Sequence, residues 1–76
     1  MIKLENYIIE FHKCLYPVGY VIEISKKEEI DEIVKIKKEY LFYNLINGTN
    51  KAKVKMFILG HSTDEKLKSL LKNSTI

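Results

Sequence analysis

The stretch Lys53–Leu71, KVKMFILGHSTDEKLKSLL, constrains this chain more than any other. Its first seven residues alternate, with Val54, Met56 and Ile58 set against Lys53, Lys55 and Phe57. A period of two is the mark of a strand. Gly60 breaks the run, Ser62 or Thr63 is the expected helix cap, and Ser62 is followed three residues later by Glu65. That spacing is a capping box: the serine hydroxyl accepts from a free helix N–H, and the glutamate reaches back to the cap N–H. Leu67, Leu70 and Leu71 then form one apolar stripe, so a strand is expected to hand over to a short amphipathic helix.

The first half carries a version of the same pattern. Ser25 and Glu28 make a second capping box, and Ile30, Ile33 and Val34 follow Ser25 at the offsets at which Leu67, Leu70 and Leu71 follow Ser62. Acids (Glu28, Glu29, Asp31, Glu32) crowd the start of this segment and lysines (Lys35, Lys37, Lys38) its end, which suits a helix dipole. A duplicated ancestor explains the matching offsets, and so do shared helix rules alone.

Upstream, Tyr7, Ile9 and Phe11 alternate with Ile8, Glu10 and His12. Leu4, Ile8, Phe11 and Leu15 also fall at helical spacing, but adjacent β-branched residues, no cap and Pro17 favour a strand. Residues 19–24 alternate as well, and the turn around Pro17 makes the pair a hairpin. Residues 40–46, YLFYNLI, could prolong the preceding helix to Asn47-Gly48. Their aromatic content, and the absence of a polar side for an outer helix, favour a strand. Asn47 to Ala52 then closes a second hairpin, and Asn73 to Ile76 forms a fraying tail.

The expected fold is therefore a small two-layer α+β domain over residues 1–76, in the order ββαββα. A four-stranded antiparallel sheet carries two helices on one face. Tyr7, Ile9, Phe11, Ile22, Ile24, Val54, Met56 and Ile58 lie beneath them. Ile8, Glu10, His12, Val21, Glu23, Lys53, Lys55 and Phe57 occupy the free face.

A chain of 76 residues makes one domain with a modest core. The single cysteine, Cys14, excludes an intrachain disulfide and asks for no oxidising compartment. No run approaches the ~18 apolar residues that span a bilayer. The N-terminus lacks the pattern of a signal peptide, so the expected location is the cytoplasm. The net charge of +3 comes with thirteen lysines and no arginine. Bidentate recognition of phosphates or guanine edges is normally arginine work, so the charge permits an anionic partner without demanding one.

Three constellations could carry chemistry. At Gly60-His61-Ser62-Thr63 a helix start could receive an anion, with His61 adding a charge and Ser62 a hydroxyl. Asp64 and Glu65 oppose that, and capping alone explains the residue types. Lys51, Lys53 and Lys55 would form a row on a strand beside aromatic side chains, either a track for a nucleic-acid backbone or simply a guarded sheet edge. His12 and Cys14 would share a face, but two ligands do not make a metal site, and a half-buried cysteine usually packs as a small hydrophobe. No carboxylate pair stands in an apolar setting. Neither catalytic residues, a cofactor nor a metal is expected.

The leading expectation is a non-enzymatic protein-binding module, a regulator or inhibitor of the small kind common in phages and mobile elements. It would act by protein contact and self-associate, a homodimer being one form. Ile8, Val21 and Phe57 on the free face, with neighbouring tyrosines, would centre the contact, and lysines and glutamates would rim it. The alternative is a nucleic-acid-binding regulator using Lys51, Lys53 and Lys55, with His61 and Ser62 as further anion contacts.

Overall fold

The computed structural model describes residues 1–48 and 50–74. Thr49, in the expected second hairpin loop, and Thr75 and Ile76, in the expected frayed tail, lie outside the described residues. Four strands come first: β1 (Ile2–Leu4), β2 (Tyr7–Leu15), β3 (Val18–Ile30) and β4 (Ile33–Asn44). A 3-10 turn at Leu45–Asn47 leads to helices α1 (Lys51–His61) and α2 (Glu65–Lys72). The strands form one antiparallel sheet in the order β1-β2-β3-β4. The fold is thus the expected α+β domain of four antiparallel strands and two helices.

The register sorts the side chains. Ile9 faces Ile24, which faces Glu39; Phe11 faces Ile22, which faces Leu41. These rows lie on the helix side. Tyr7, Ile9, Ile22, Ile24 and Tyr43 from the sheet close on Ile58 of α1 and on Leu67 and Leu71 of α2 to form the buried core. Each fully buried aliphatic side chain contributes roughly 1.5–3 kcal/mol. Gly19, opposite Asn44, is required by close approach: a Cβ there would strike the Tyr43 carbonyl oxygen and come within 2.8 Å of the Phe42 ring.

The element order differs from ββαββα. Residues 26–38, expected to be a helix, are the ends of β3 and β4 joined by a two-residue turn at Asp31-Glu32. The segregation of charge that suits a helix dipole suits a hairpin equally well once the chain folds back at that turn. Glu28 then lies opposite Lys35, and its carboxylate also meets Lys26 at 3.2 Å and Lys37 at 3.6 Å. Ser25 caps nothing and sits mid-strand between Ile8 and Lys38. The two halves do not repeat.

Residues 53–59, expected to be a strand, belong to α1. Val54, Phe57 and Ile58 recur at helical spacing and turn toward the core, with Ile58 buried. Met56 remains exposed instead of lying under a helix. Asn50 starts the helix by accepting from the Ala52 N–H at 2.7 Å. The stretch at 40–46 is divided: Tyr40–Asn44 continue β4, and Leu45 and Ile46 enter the 3-10 turn.

β2 accompanies β3 only as far as the pair Tyr7–Lys26. Beyond it the β3–β4 hairpin runs on as a two-stranded arm through Lys27–Ile36, Glu28–Lys35, Glu29–Val34 and Ile30–Ile33. Asn6 clamps its base: the Lys27 N–H donates to the Asn6 carbonyl, and the Asn6 side-chain amide donates to the Lys27 carbonyl, both at 2.9 Å. The arm contributes to a long molecule of 44 × 27 × 19 Å.

The turn at the arm tip holds Asp31 and Glu32 at φ 51° and 67°, the left-handed geometry of a type I′ hairpin. Replacing both residues by the preferred pair, Asp31→Asn with Glu32→Gly, is expected to stabilise the fold by roughly 1 kcal/mol through relief of left-handed strain. A helix over the same residues would lose about that much to the glycine. The sign of the shift in a urea melt therefore distinguishes hairpin from helix.

Candidate protein-contact surface

Gly60 and His61 are the last residues of α1, and Ser62, Thr63 and Asp64 link it to α2, so no strand-to-helix turn stands here. Ser62 ends α1 and is buried. Its hydroxyl donates to Glu39 Oε1 at 2.6 Å, while the Thr63 N–H and hydroxyl donate to Glu39 Oε2 at 3.0 and 2.8 Å. The anion expected at this turn is thus the chain's own carboxylate, reaching up from β4. Burial pushes the Glu39 carboxyl up, and the hydrogen bonds from Ser62 and Thr63 more than offset that, leaving it below the ordinary glutamate value.

Asp64, and neither Ser62 nor Thr63, caps α2: its Oδ1 accepts the Leu67 N–H at 3.1 Å. Its Oδ2 accepts the Tyr7 hydroxyl at 2.8 Å, with Lys26 at 3.9 Å. Burial raises the Asp64 carboxyl, but the Leu67 N–H, the Tyr7 hydroxyl and Lys26 outweigh it and hold it low. His61 faces away from this network. Its Nδ1–H donates to the Phe57 carbonyl at 2.9 Å, and its ring stacks on Phe57 at 4.1 Å.

The lysine row is not a row. Lys51, Lys53 and Lys55 lie on α1, where alternate residues do not point the same way. Lys55 is half-buried and donates to the Ser74 carbonyl at 2.8 Å. Phe57 is likewise on α1, edge-on to Tyr43 at 5.1 Å and half-buried on the helix side. It cannot centre a contact on the free face of the sheet.

Ile8 and Val21 do occupy that face, half-buried. A charged row runs between them. Glu10 and Tyr40 flank Glu23, whose carboxylate accepts from His12 Nε2 at 2.9 Å and Lys38 at 2.7 Å. The Lys38 bond, then that from His12, holds the Glu23 carboxyl low. Glu10, His12 and Glu23 bring three possible ligand atoms within 4.8 Å of one another. Both Glu23 oxygens are already engaged, however, Oε1 by His12 and Oε2 by Lys38. Cys14 stands apart from this group, its thiol turned to the Tyr16 carbonyl at 3.6 Å.

Many of the exposed apolar side chains lie along β4 and the arm. Ile30, Ile33, Val34 and Ile36 are 51 to 63 % exposed, and Tyr40 and Phe42 are exposed too. Ile30, Ile33 and Val34 were expected on a helix facing the core and not at the contact. The available signal was Ile33-Val34 with Ile36, β-branched residues that prefer a pleated ribbon.

β4 is paired on one side only. Ile30 and Ile33 flank the two-residue turn, so they exchange both hydrogen bonds, and every second residue of β4 from Ile33 onward bonds to β3. Val34, Ile36, Lys38, Tyr40 and Phe42 therefore point their N–H and C=O outward. No hydrogen bond among the described residues uses that edge. Beside its far end lies an open groove of ≈ 860 Å³, whose lining includes Tyr43, Ile46, Lys53, Met56, Phe57 and His61. No helix among the described residues is long and apolar enough to cross a membrane.

Glu39 and Asp64 titrate lower in the folded chain than in the unfolded one. Their contribution is complete above the unfolded values, about 4, and is lost as pH falls through the folded ones. The urea midpoint should accordingly be flat from about pH 7 to 5 and fall below about 4. Glu39→Ala leaves the buried Ser62 hydroxyl without its acceptor, so it should cost about 1–3 kcal/mol at neutral pH and shallow the acid limb. No protein-family model, curated protein or solved structure matches the chain.

Proposed function

We propose that this is a non-enzymatic protein-binding module, a regulator or inhibitor that works by contact, and that its contact element is β4 with the hairpin arm. One observation carries this reading: an unpaired edge strand that also presents Ile33, Val34, Ile36, Tyr40 and Phe42 to solvent. Soluble proteins normally blunt such an edge, because it is a template for another strand. Strand addition draws affinity from main-chain bonds and specificity from alternating side chains, and β4 supplies both. Ile8 and Val21 border this surface on the free face; Phe57 borders it from the groove.

A photo-crosslinking side chain placed singly at Ile36, Phe42 and Lys66 in the expressed protein tests the assignment. Protein adducts are expected from Ile36 and Phe42, unchanged between low and high salt. Lys66, on α2, should give none. Adducts from Lys66 alone, or none from Ile36 and Phe42, overturn the reading.

A further inference from the structure

Resting on the reading of β4 as the contact element, we propose that its occupant is β4 of a second copy. The two strands run antiparallel about a twofold axis at Lys38, and each arm tip lies in the other copy's groove. Outward-facing residues must pair with outward-facing residues, which leaves few registers. Centring on Lys38 sets Val34 opposite Phe42 and Ile36 opposite Tyr40, with about ten inter-strand hydrogen bonds along the seam. On the helix side it sets Lys37 opposite Glu39, an opposite-charge pair made twice. The two Lys38 side chains meet at the axis, but each is already turned onto its own Glu23 at 2.7 Å. Moving the axis by one residue puts Lys37 against Lys37 or Glu39 against Glu39 as a non-hydrogen-bonded pair, whose Cα atoms lie ~4.5 Å apart against ~5.5 Å for the Lys38 pair, and like charges directly opposite are least favourable there.

The groove selects the same register independently. With the axis at Lys38, the partner's Ile33 falls opposite Tyr43, on the helix side. The groove lined by Tyr43, Met56, Phe57 and His61 opens at this place. The exposed Ile33 gains apolar neighbours, among them the exposed Met56. The acidic turn Asp31-Glu32 arrives beside Leu45 and Asn44, near Lys53 of the groove. Each arm, unsupported in a single copy, becomes a strand pair flanked by the body of its partner.

Light scattering on the wild-type chain should give twice 9.0 kDa. Ile36→Pro removes an outward N–H and leaves the β3–β4 ladder intact; it should raise the dimer dissociation constant at least about tenfold with an unchanged circular dichroism spectrum. In a Cys14→Ser background, Lys38→Cys should oxidise to a covalent dimer, since a hydrogen-bonded pair sits ~5.5 Å apart. Lys37→Cys should not. A single 9.0 kDa species up to about 100 μM overturns the self-pairing, as does a dimer joined through Lys37→Cys instead. If the chain is monomeric while the Ile36 crosslinker captures a different protein, only the self-pairing fails and β4 stands as the contact element.

Discussion

The two helices are held to the sheet at the link between them. Glu39 sends a carboxylate from the helix side of β4 into that link, where Ser62 and Thr63 donate three hydrogen bonds to it. One residue later Asp64 caps α2 and receives the Tyr7 hydroxyl from β2. Three consecutive residues, Ser62 to Asp64, thus end one helix, begin the next and grip two strands. Hydrogen bonds to an ionised group are about twice as strong as neutral ones, and Ser62 is itself buried. The positions of Ile58, Leu67 and Leu71 over the sheet follow from this attachment. A turn already filled by an internal carboxylate is a poor receptor for an external anion.

Much of the sheet was legible in the sequence. Tyr7, Ile9, Phe11, Ile22 and Ile24 announce their face by alternation alone, and Tyr40 to Tyr43 announce a strand by aromatic content. What stayed hidden has physical causes. A hairpin and a helix make the same demand of residues 26–38: acids first, lysines after. The turn that decides between them is Asp31-Glu32, without the Asn-Gly pair that usually marks a type I′ geometry. In α1, lysines alternating with apolar residues imitate a strand, although Val54, Phe57 and Ile58 also satisfy a helix.

The candidate surface was legible only in part. Ile8 and Val21 lie on the free face as the alternation demands, while Phe57 moved to the helix layer along with its segment. The exchange of a helix for an arm has a larger effect. It turns Ile30, Ile33 and Val34 from core residues into exposed ones and gives the sheet two unlike edges. β1 is three residues long, and β4 is twelve. Lys35, Lys37 and Lys38 on the long edge resemble the guards that keep edge strands apart. Lys37 and Lys38 are drawn to Glu28 and Glu23 on the neighbouring strand, which weakens that guard.

The clamp at Asn6 divides the β3–β4 ribbon into a part tied to the core and a part that is not. Side chains along a ribbon alternate strictly by twos. Adding or deleting a pair of residues on each side of the turn would change reach while leaving every remaining side chain on its face. A single-residue change on one side would invert the rows beyond it. Evolution can therefore adjust the span of this appendage in quanta of about 7 Å without touching the globular body, and so alter which surfaces it bridges while the scaffold stays constant.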